Sequence, residues 1–187
     1  VIYMNNYLPT DYQAFIHTSR YARWLDSEGR RETWAETVSR YMNNVVRKST
    51  NIAHAHFDKI EEAILSLDVM PSMRAMMSAG PALDRDNTAG FNCSYMPIDH
   101  PKAFDELMYV LMCGTGAGFS VERQYIHKLP EVAEDFHGTD SIIHVSDSKI
   151  GWAKAYRELI AMLYSGQVPK WDVSGVRPSG APLKTFG

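Results

Sequence analysis

The sequence predicts an α/β fold in which a helical region comes first and strands alternate with helices afterwards. The first 68 residues carry apolar side chains at helical spacing. The pattern changes from residue 69, because Pro71 interrupts it and short apolar runs then alternate with amphipathic stretches. Strands that alternate with helices are typical of α/β proteins, so we expect an N-terminal helical region over 1–68 to pack on an α/β core over 69–187.

Composition limits the classes of function. The chain has 187 residues, 45% of them hydrophobic, and a formal net charge of −3. A slightly negative net charge gives no positive electrostatic potential that would attract the phosphates of a nucleic acid. This argues against nucleic acid as a partner. The sequence has no run of roughly 18 apolar residues and no signal-peptide pattern at its start, so we expect no membrane partner. The two cysteines lack paired spacing, which favours a reducing compartment and a cytoplasmic location.

Three helices are predicted in the N-terminal region. Thr10 and Gln13 form a capping box, and the helix that they begin is expected to run to a turn at 28–29. A third helix is expected over about 55–67. The second helix, over 31–48, is predicted by apolar side chains on one face: Trp34, Val38, Tyr41, Met42 and Val45.

The α/β region is predicted to open with an irregular, buried connection, because residues 69–81 are rich in methionine and contain a proline that breaks the helical pattern. A helix is then expected to begin at Pro101 and to end at Gly114. Its buried stripe is predicted to consist of Phe104, Leu107, Met108 and Leu111.

Two short strands are predicted at 119–121 and 142–145, separated by an acidic surface loop. The last helix is expected to begin after Asp147 as its N-cap and to stop at Gly166. The tail over 171–187 is predicted to contain turns and short extended pieces.

Cys93 is the first candidate for chemistry. A free cysteine is more often a small buried residue than a reagent. The polar neighbours Asn87, Asn92 and Ser94 favour contact with water or a polar ligand instead. Both interpretations stay open, because reactivity depends on the state of the thiol. Cys113 follows an apolar helical stripe and is interpreted as part of the core.

Gly114, Gly116 and Gly118 lie between a predicted helix and a predicted strand. A dinucleotide-binding fingerprint has the reverse order, strand, glycines and then helix, so this motif is not one. The glycines favour equally a tight turn and the close approach of a ligand to the backbone. His54 and His56 have no cysteine or carboxylate at metal-ligand spacing, and we expect no protein-bound metal.

A series of segments in fixed order carries a resemblance to a known family: Tyr21-Ala22-Arg23-Trp24-Leu25, Gly29-Arg30-Arg31-Glu32-Thr33-Trp34, Met70-Pro71-Ser72-Met73-Arg74, Asn92-Cys93-Ser94, Gly114-Thr115-Gly116-Ala117-Gly118-Phe119-Ser120-Val121-Glu122, Asp147-Ser148-Lys149-Ile150-Gly151-Trp152-Ala153 and Val176-Arg177-Pro178-Ser179-Gly180-Ala181-Pro182-Leu183. Together they are similar to the N-terminal portion of the catalytic subunit of class II, adenosylcobalamin-dependent ribonucleotide reductases. The early arginine and tryptophan segments are most similar to the monomeric branch, which uses ribonucleoside triphosphates.

The resemblance implies that the core is the first half of a ten-stranded α/β barrel. In the family, adenosylcobalamin yields a radical that oxidises a barrel cysteine to a thiyl, and the thiyl removes the 3′ hydrogen of a ribonucleoside tri- or diphosphate. The resemblance assigns Cys93 to the cysteine pair that reduces the 2′ position, and Ser72, Asn92 and Gly116 to the substrate pocket. It implies as further partners a deoxynucleotide effector and a reductant of the thioredoxin or glutaredoxin type, in deoxyribonucleotide synthesis for DNA replication.

The chain departs from the family in lacking the downstream Asn-x-Cys-x-Glu segment, which carries the thiyl cysteine, and the second reducing cysteine. We therefore expect a fragment, a split-gene product or a piece interrupted by an intein, inactive without the missing C-terminal portion and with apolar surface exposed. Two alternatives stay open: a non-catalytic interaction or assembly module of the same fold, and the N-terminal part of an iron-radical, class I reductase. Cys93 favours the catalytic interpretation over the first, and the run from Asp147 through the helix of Trp152 favours the cobalamin branch over the second.

Overall fold

A computed structural model describes residues 7–181. The chain divides into two compact units, Val1–Phe91 and Asn92–Gly187. The domain boundary predicted after residue 68 stays a prediction, because a division into two compact units does not by itself define domains. No helix among residues 7–181 has both the length and the apolar character needed to cross a membrane.

Helices make up most of the described part of the first unit. The helices α1 and α2 begin at capping boxes, in which Thr10 pairs with Gln13 and Thr33 with Glu36, and each continues into one π-helical turn. Single 3₁₀ turns precede α3 and follow α5. The bounds are α1 (Asp11–Ile16), α2 (Trp34–Tyr41), α3 (Phe57–Leu65), α4 (Met73–Ser78) and α5 (Pro81–Arg85).

The predicted first helix is too long. Its helical turns end at Tyr21, and β1 (Trp24–Leu25) then pairs antiparallel with β2 (Arg30–Arg31). Gly29 closes this hairpin in the left-handed region, at a φ of 60°, and donates its N–H to the carbonyl of Leu25 at 2.9 Å. A glycine adopts this conformation without strain, so the turn forms a hairpin where the sequence predicted only the end of a helix.

The prediction of an irregular connection over 69–81 is also wrong in part, because Met73–Ser78 forms α4. Ser72 caps this helix, with its Oγ accepting the N–H of Ala75 at 3.4 Å. Pro71 lies before the cap, where its missing N–H removes no helical hydrogen bond. Pro81 then starts α5 as its first residue.

The core of the first unit confirms most of the predicted face of the second helix, except that Val46 is buried in the core cluster where the prediction placed Val45, which is half-buried. Trp34, Val38 and Met42 are at most 1% exposed, and the indole N–H of Trp34 donates to the carbonyl of Leu65 at 3.1 Å. This bond satisfies the polar atom of a buried aromatic ring. The remaining buried members of the cluster come from the other helices and their turns: Val46, Phe57, Ile64 and Met76.

A buried polar network crosses the first unit. Arg40 binds both carboxylate oxygens of Glu32, at 2.7 and 2.8 Å, and also donates to backbone carbonyls, including those of Met76 and Ala79. Burial alone would raise the pKa of Glu32. The hydrogen bonds from Arg40, from the backbone of Arg23 and from a threonine hydroxyl outweigh burial, so the pKa of Glu32 lies below its usual value.

Parallel strand pairs with a helix between them form the second unit. β3 pairs with β4 across α6, β5 pairs with β6 across α8, and both pairs are parallel. Residues 7–181 thus hold six strands in three two-stranded sheets, and the ten-stranded barrel stays a prediction. The bounds are β3 (Cys93–Pro97), α6 (Lys102–Met112), β4 (Gly116–Ser120), α7 (Arg123–Ile126), β5 (His137–His144), α8 (Lys149–Tyr164) and β6 (Gln167–Asp172).

The structure corrects the predicted ends of two elements. The N-cap of α8 is Ser148, whose Oγ accepts the N–H of Gly151 at 2.9 Å, whereas Asp147 instead forms an ion pair with Arg177 at 3.2 Å. The strand predicted at 119–121 begins earlier, so that Gly116 and Gly118 are strand residues. The predicted tail begins inside β6, and its last residues, 182–187, lie outside the described residues.

The predicted stripe of α6 is not its most buried face. Ala103 and Asp105 are 2% exposed, whereas Leu111 is 51% exposed. Asp105 is buried because Arg157 of α8 binds it, with two guanidinium nitrogens at 2.9 and 2.5 Å from Oδ2. An ion pair between helices therefore occupies a buried position outside the predicted apolar stripe.

Candidate functional site

Cys93 is the first residue of β3, and its side chain is exposed. The sequence analysis did not predict a strand here. Tyr95 and the β-strand pairing with β4 hold the segment extended, and the three residues from Cys93 to Tyr95 are all exposed. The thiol is therefore accessible, as its polar neighbours suggested, rather than a small buried residue.

The neighbour of Cys93 on β4 is Gly116. The two residues are partners in the parallel ladder, and the N–H of Gly116 donates to the carbonyl of Asn92 at 2.8 Å. Partners in a ladder point to the same face of a sheet, so the missing side chain of Gly116 leaves open space beside the thiol. A Cβ added at Gly116 would lie 3.3 Å from the carbonyl oxygen of Asn92. This position thus favours a residue without a side chain.

Ser94 adds a second link between the strands, since its Oγ donates to the carbonyl of Gly116 at 3.2 Å. The helix α6 ends just before β4 with Gly114 at a φ of 83°, in the left-handed region. Thr115, the next residue, is buried. The β3–α6–β4 crossover therefore fixes the thiol and the glycine side by side on adjacent strands.

Three of the four predicted site residues lie together: Cys93 and Gly116 are partners in this ladder, and Asn92, just before β3, accepts the N–H of Gly116 through its carbonyl. Ser72 lies in the first unit as the N-cap of α4. Its hydroxyl caps that helix, and its assignment to a substrate pocket stays a prediction.

Cys113 is buried, as predicted, with 1% of its surface exposed. The ammonium of Lys149 lies 3.2 Å from its Sγ and 5.6 Å from the centre of the Tyr109 ring. Sequence reasoning missed this lysine, because it lies 36 residues away from the thiol. The contact joins the end of α6 to the beginning of α8.

A second polar pair, which the sequence did not indicate, lies at the carboxyl ends of β5 and β6. His144 and Asp172 are ladder partners, and Nδ1 of the imidazole lies 3.1 Å from Oδ2 of the carboxylate. The backbone N–H of Ser174 donates to Oδ1 of Asp172 at 2.9 Å. This hydrogen bond and the neighbouring imidazole lower the pKa of Asp172.

The tyrosines near β3 also interact. The charge of Tyr95 and a hydrogen bond with it raise the pKa of Tyr125, which favours the neutral phenol.

Within residues 7–181, no three histidine, cysteine, aspartate or glutamate side chains come together as metal ligands would. Beside β3 the structure thus offers an accessible thiol, the open position at Gly116 and the hydroxyls of Tyr95 and Tyr125.

Comparisons with known proteins indicate the relationship of this chain. Residues 4–80 match the model of the ribonucleotide reductase alpha domain. The adenosylcobalamin-dependent ribonucleoside-triphosphate reductase of Lactobacillus helveticus is 24% identical over 242 residues, which cover 89% of this chain and 32% of that protein. The enzyme of the same name from Lacticaseibacillus paracasei is 25% identical, with the same coverage of both chains.

A solved structure has the same fold. The crystal structure of a B12-dependent, class II ribonucleotide reductase matches with a TM-score of 0.76 and 21% sequence identity, over 93% of this chain and 34% of that one. The chain is related to the class II ribonucleotide reductases. This relationship confirms the resemblance seen in the sequence segments. The chain spans about a third of the length of the relatives that it matches.

Proposed function

We propose that this chain forms the N-terminal part of the catalytic core of an adenosylcobalamin-dependent ribonucleotide reductase, in which Cys93 is one of two cysteines that reduce the substrate. The observation that carries the proposal is the exposed thiol of Cys93 beside the open position at Gly116. A ribose approaching the face of β3 and β4 meets a sulfur on one strand and no side chain on the other. This geometry suits a reaction in which the thiol must contact a carbon atom of a bulky substrate.

The proposed reaction needs two thiols. They are oxidised to one disulfide and together release two electrons and two protons. The 2′ hydroxyl of the ribose leaves as water after taking up one of these protons, and the other proton and the two electrons form the new C–H bond at the 2′ carbon. Cys113 is buried and contacts Lys149, so the second thiol would come from sequence outside these 187 residues, as would the cysteine that carries the thiyl radical.

The cofactor belongs to the proposal because the relatives are named adenosylcobalamin-dependent. When bound, adenosylcobalamin would supply the radical that starts the reaction. We assign no residue of this chain to the cofactor, and the role of Cys93 does not depend on contact with it.

The complete protein is proposed to reduce ribonucleoside tri- or diphosphates, to respond to a deoxynucleotide effector and to regain its thiols from a protein of the thioredoxin or glutaredoxin type. The barrel would be completed by the sequence that carries the thiyl cysteine. A non-catalytic module with the same fold has no need of an exposed thiol at Cys93. The names of the relatives favour cobalamin over an iron-radical subunit.

The test is turnover of the full-length protein with ribonucleotide, adenosylcobalamin and excess dithiol, without oxygen or iron. We expect deoxynucleotide to form, and Cys93→Ser to stop multiple turnover while radical formation, followed by electron paramagnetic resonance, persists. Cys113→Ser is the matched control, with a loss of stability on the order of 1 kcal/mol and no chemical defect. The 187-residue chain alone is expected to form no product. Near-normal turnover of Cys93→Ser would refute the redox role, and dependence on iron and oxygen would refute the choice of cofactor.

A further inference from the structure

The first unit contains a cavity of about 800 Å³ that none of the residues discussed for catalysis lines. It lies between the end of α2 with its following turn and one face of α3, and the segments at 51–53 and 69–71 complete its walls. Its volume is within the range of pockets that hold small molecules, roughly 300–1,000 Å³.

The walls of this cavity are aliphatic. Val46 and Ile64 are 5% and 2% exposed and belong to the core cluster, while Ile60 packs against that cluster and also lines the cavity. Val69 lines it as well and is 56% exposed. Water therefore contacts apolar surface that a hydrocarbon chain would cover favourably. Among the described residues the walls hold one large aromatic ring, that of Tyr41, and the smaller imidazole of His56, and not a pair of large rings that would stack on both faces of a flat ligand.

The polar side chains that line the cavity are all donors or neutral groups. Asn51, His56 and Lys59 contribute an amide, an imidazole and an ammonium, and no aspartate or glutamate of the described chain lines the cavity. Within residues 7–181 these three side chains make no hydrogen bond or ion pair. Glu61, two residues after Lys59, does not line the cavity and is bound by Arg47 at 2.6 Å.

The charged side chains that line the cavity indicate what charge its ligand carries. Lys59 is the one lysine, arginine, aspartate or glutamate among the described residues that line the cavity, so the cavity complements a single negative charge. A phosphate monoester carries about −1.5 to −2, more than one lysine balances. Burial raises the pKa of Tyr41, so its phenol stays protonated and provides a further donor.

We propose that this cavity binds an aliphatic monocarboxylate. The hydrocarbon chain lies against Val46, Ile60 and Ile64, and the carboxylate is bound by Lys59 with the help of His56. The site lies in the first unit, away from the ladder of Cys93 and Gly116 in sequence, and the proposal does not rest on the proposed reductase function.

The test uses the full-length protein and titration calorimetry with three probes of equal chain length: decanoate, decan-1-ol and decylammonium. Decanoate is expected to bind saturably with one site. Decan-1-ol keeps the chain without the charge and is expected to bind at least tenfold more weakly. Decylammonium reverses the charge and is expected to show no saturable binding.

Variants locate the site. Lys59→Ala is expected to weaken decanoate about threefold, the effect of losing one partly exposed charge pair, and to leave decan-1-ol unchanged. Lys48→Ala is the matched control, since Lys48 pairs with Asp84 at 2.6 Å, does not line the cavity and is expected to have no effect. Ile60→Trp fills the cavity and is expected to abolish binding of both probes. Ala63→Met is a milder filling, used with a thermal melt in case Ile60→Trp does not fold.

Three results would overturn the proposal. The first is absence of saturable decanoate binding, which is also the expected result if another part of the full-length protein or a partner protein covers the cavity. The second is equal affinity for decanoate, decan-1-ol and decylammonium, which would show partition into an apolar surface without recognition of the carboxylate. The third is decanoate binding of unchanged affinity in whichever filling variant folds, Ile60→Trp or Ala63→Met, because both substitutions place extra side-chain volume in the cavity. None of these outcomes depends on reductase activity, so the two proposals fail separately.

Discussion

The N–H of Gly116 lies 2.8 Å from the carbonyl oxygen of Asn92, and this hydrogen bond places a residue without a side chain next to the thiol of Cys93. The same contact explains why the position holds glycine, since a Cβ there would approach the carbonyl of Asn92 to 3.3 Å. Gly116 thus both pairs its backbone with Asn92 and leaves open space beside the thiol. A reaction at the thiol would depend on both.

Gly116→Ala separates these two roles. A methyl group at this position occupies the space beside Cys93, so we expect turnover of the full-length protein to fall on the order of tenfold or more, as it does when reacting groups are displaced by a fraction of an ångström to an ångström. The change in stability is expected to stay within about 1 kcal/mol, because the gain from a less flexible unfolded chain offsets the close contact. Turnover and chemical denaturation measure the two effects.

Gly118→Ala is the matched control on the same strand. Its added Cβ would meet Tyr95 at 3.7 Å, an ordinary van der Waals contact. We expect turnover within about twofold of the parent protein. Equal loss of turnover in the two variants would mean that the strand as a whole is sensitive, and it would remove the argument for space beside Cys93.

Sequence patterns predicted the elements whose signals are local. The capping box of Thr10 and the apolar face from Trp34 to Met42 are both present in the structure. The hairpin of β1 and β2 was missed because two-residue strands carry no periodicity, and Gly29 was interpreted as the end of a helix. The strand β3 was missed for a different reason. Its pairing with β4 joins segments about twenty residues apart, and only the fold brings them together.

The candidate site was predictable to the extent that it depends on residue type. Polar neighbours indicated an accessible Cys93, and the structure confirms that it is exposed. The pairing of Cys93 with Gly116 depends on the register of the two strands, which no spacing in the sequence specifies. Lys149 beside Cys113 was likewise outside the reach of sequence reasoning, because α6 and α8 meet only in the folded unit.

The ion pair of Arg40 and Glu32 is expected to be important for the stability of the first unit. The two side chains are 13% and 6% exposed, so Arg40→Met leaves a buried carboxylate without its cation and frees the carbonyls of Met76 and Ala79. We expect a loss of about 3 kcal/mol in the free energy of unfolding, measured by urea denaturation. Lys48→Met removes an exposed pair with Asp84 and should cost about 0.5 kcal/mol or less. Similar losses in both variants would contradict the structure.

The stability of the first unit is expected to fall with acid in two stages. Burial lowers the pKa of His17 from 6.5, so the unfolded chain binds a proton first, and stability is lost as the pH falls below about 6.5 toward the folded pKa. Arg30 lowers the pKa of Glu36 to about 2 against 4.5 in the unfolded chain, and Glu32 is lowered in the same direction. The carboxylates therefore contribute stability above pH about 4.5 that is lost toward pH 2.

Denaturation at a series of pH values checks this dependence. His17→Gln is expected to remove the stage near pH 6, and Glu36→Gln is expected to reduce the stage between pH 5 and 2. A stability that is flat between pH 7 and 5 in the parent protein would show that His17 is not held neutral by burial. A Glu36→Gln profile that superimposes on that of the parent would show that its pairing with Arg30 contributes nothing.

The pair of Asp105 and Arg157 is expected to respond unequally to loss of its two members. Both guanidinium contacts go to Oδ2 of Asp105, and Oδ1 is buried with no hydrogen-bond partner among the described residues. The carboxylate is 3% exposed, whereas the arginine side chain is 51% exposed. Removing the arginine leaves a buried charge, while removing the aspartate leaves a cation that water can reach.

We therefore expect Arg157→Met to lower the free energy of unfolding by about 2 kcal/mol, less than for a fully buried pair because solvent screens the arginine. Asp105→Leu is expected to cost under about 1 kcal/mol, because it also removes an oxygen that is buried without a partner. The double variant should recover most of the loss caused by Arg157→Met, since an apolar pair of similar volume then joins α6 and α8. Urea denaturation of the three variants completes a double-mutant cycle. If Asp105→Leu costs as much as Arg157→Met, Oδ1 has a partner in the folded protein, and the carboxylate is fully satisfied rather than half satisfied.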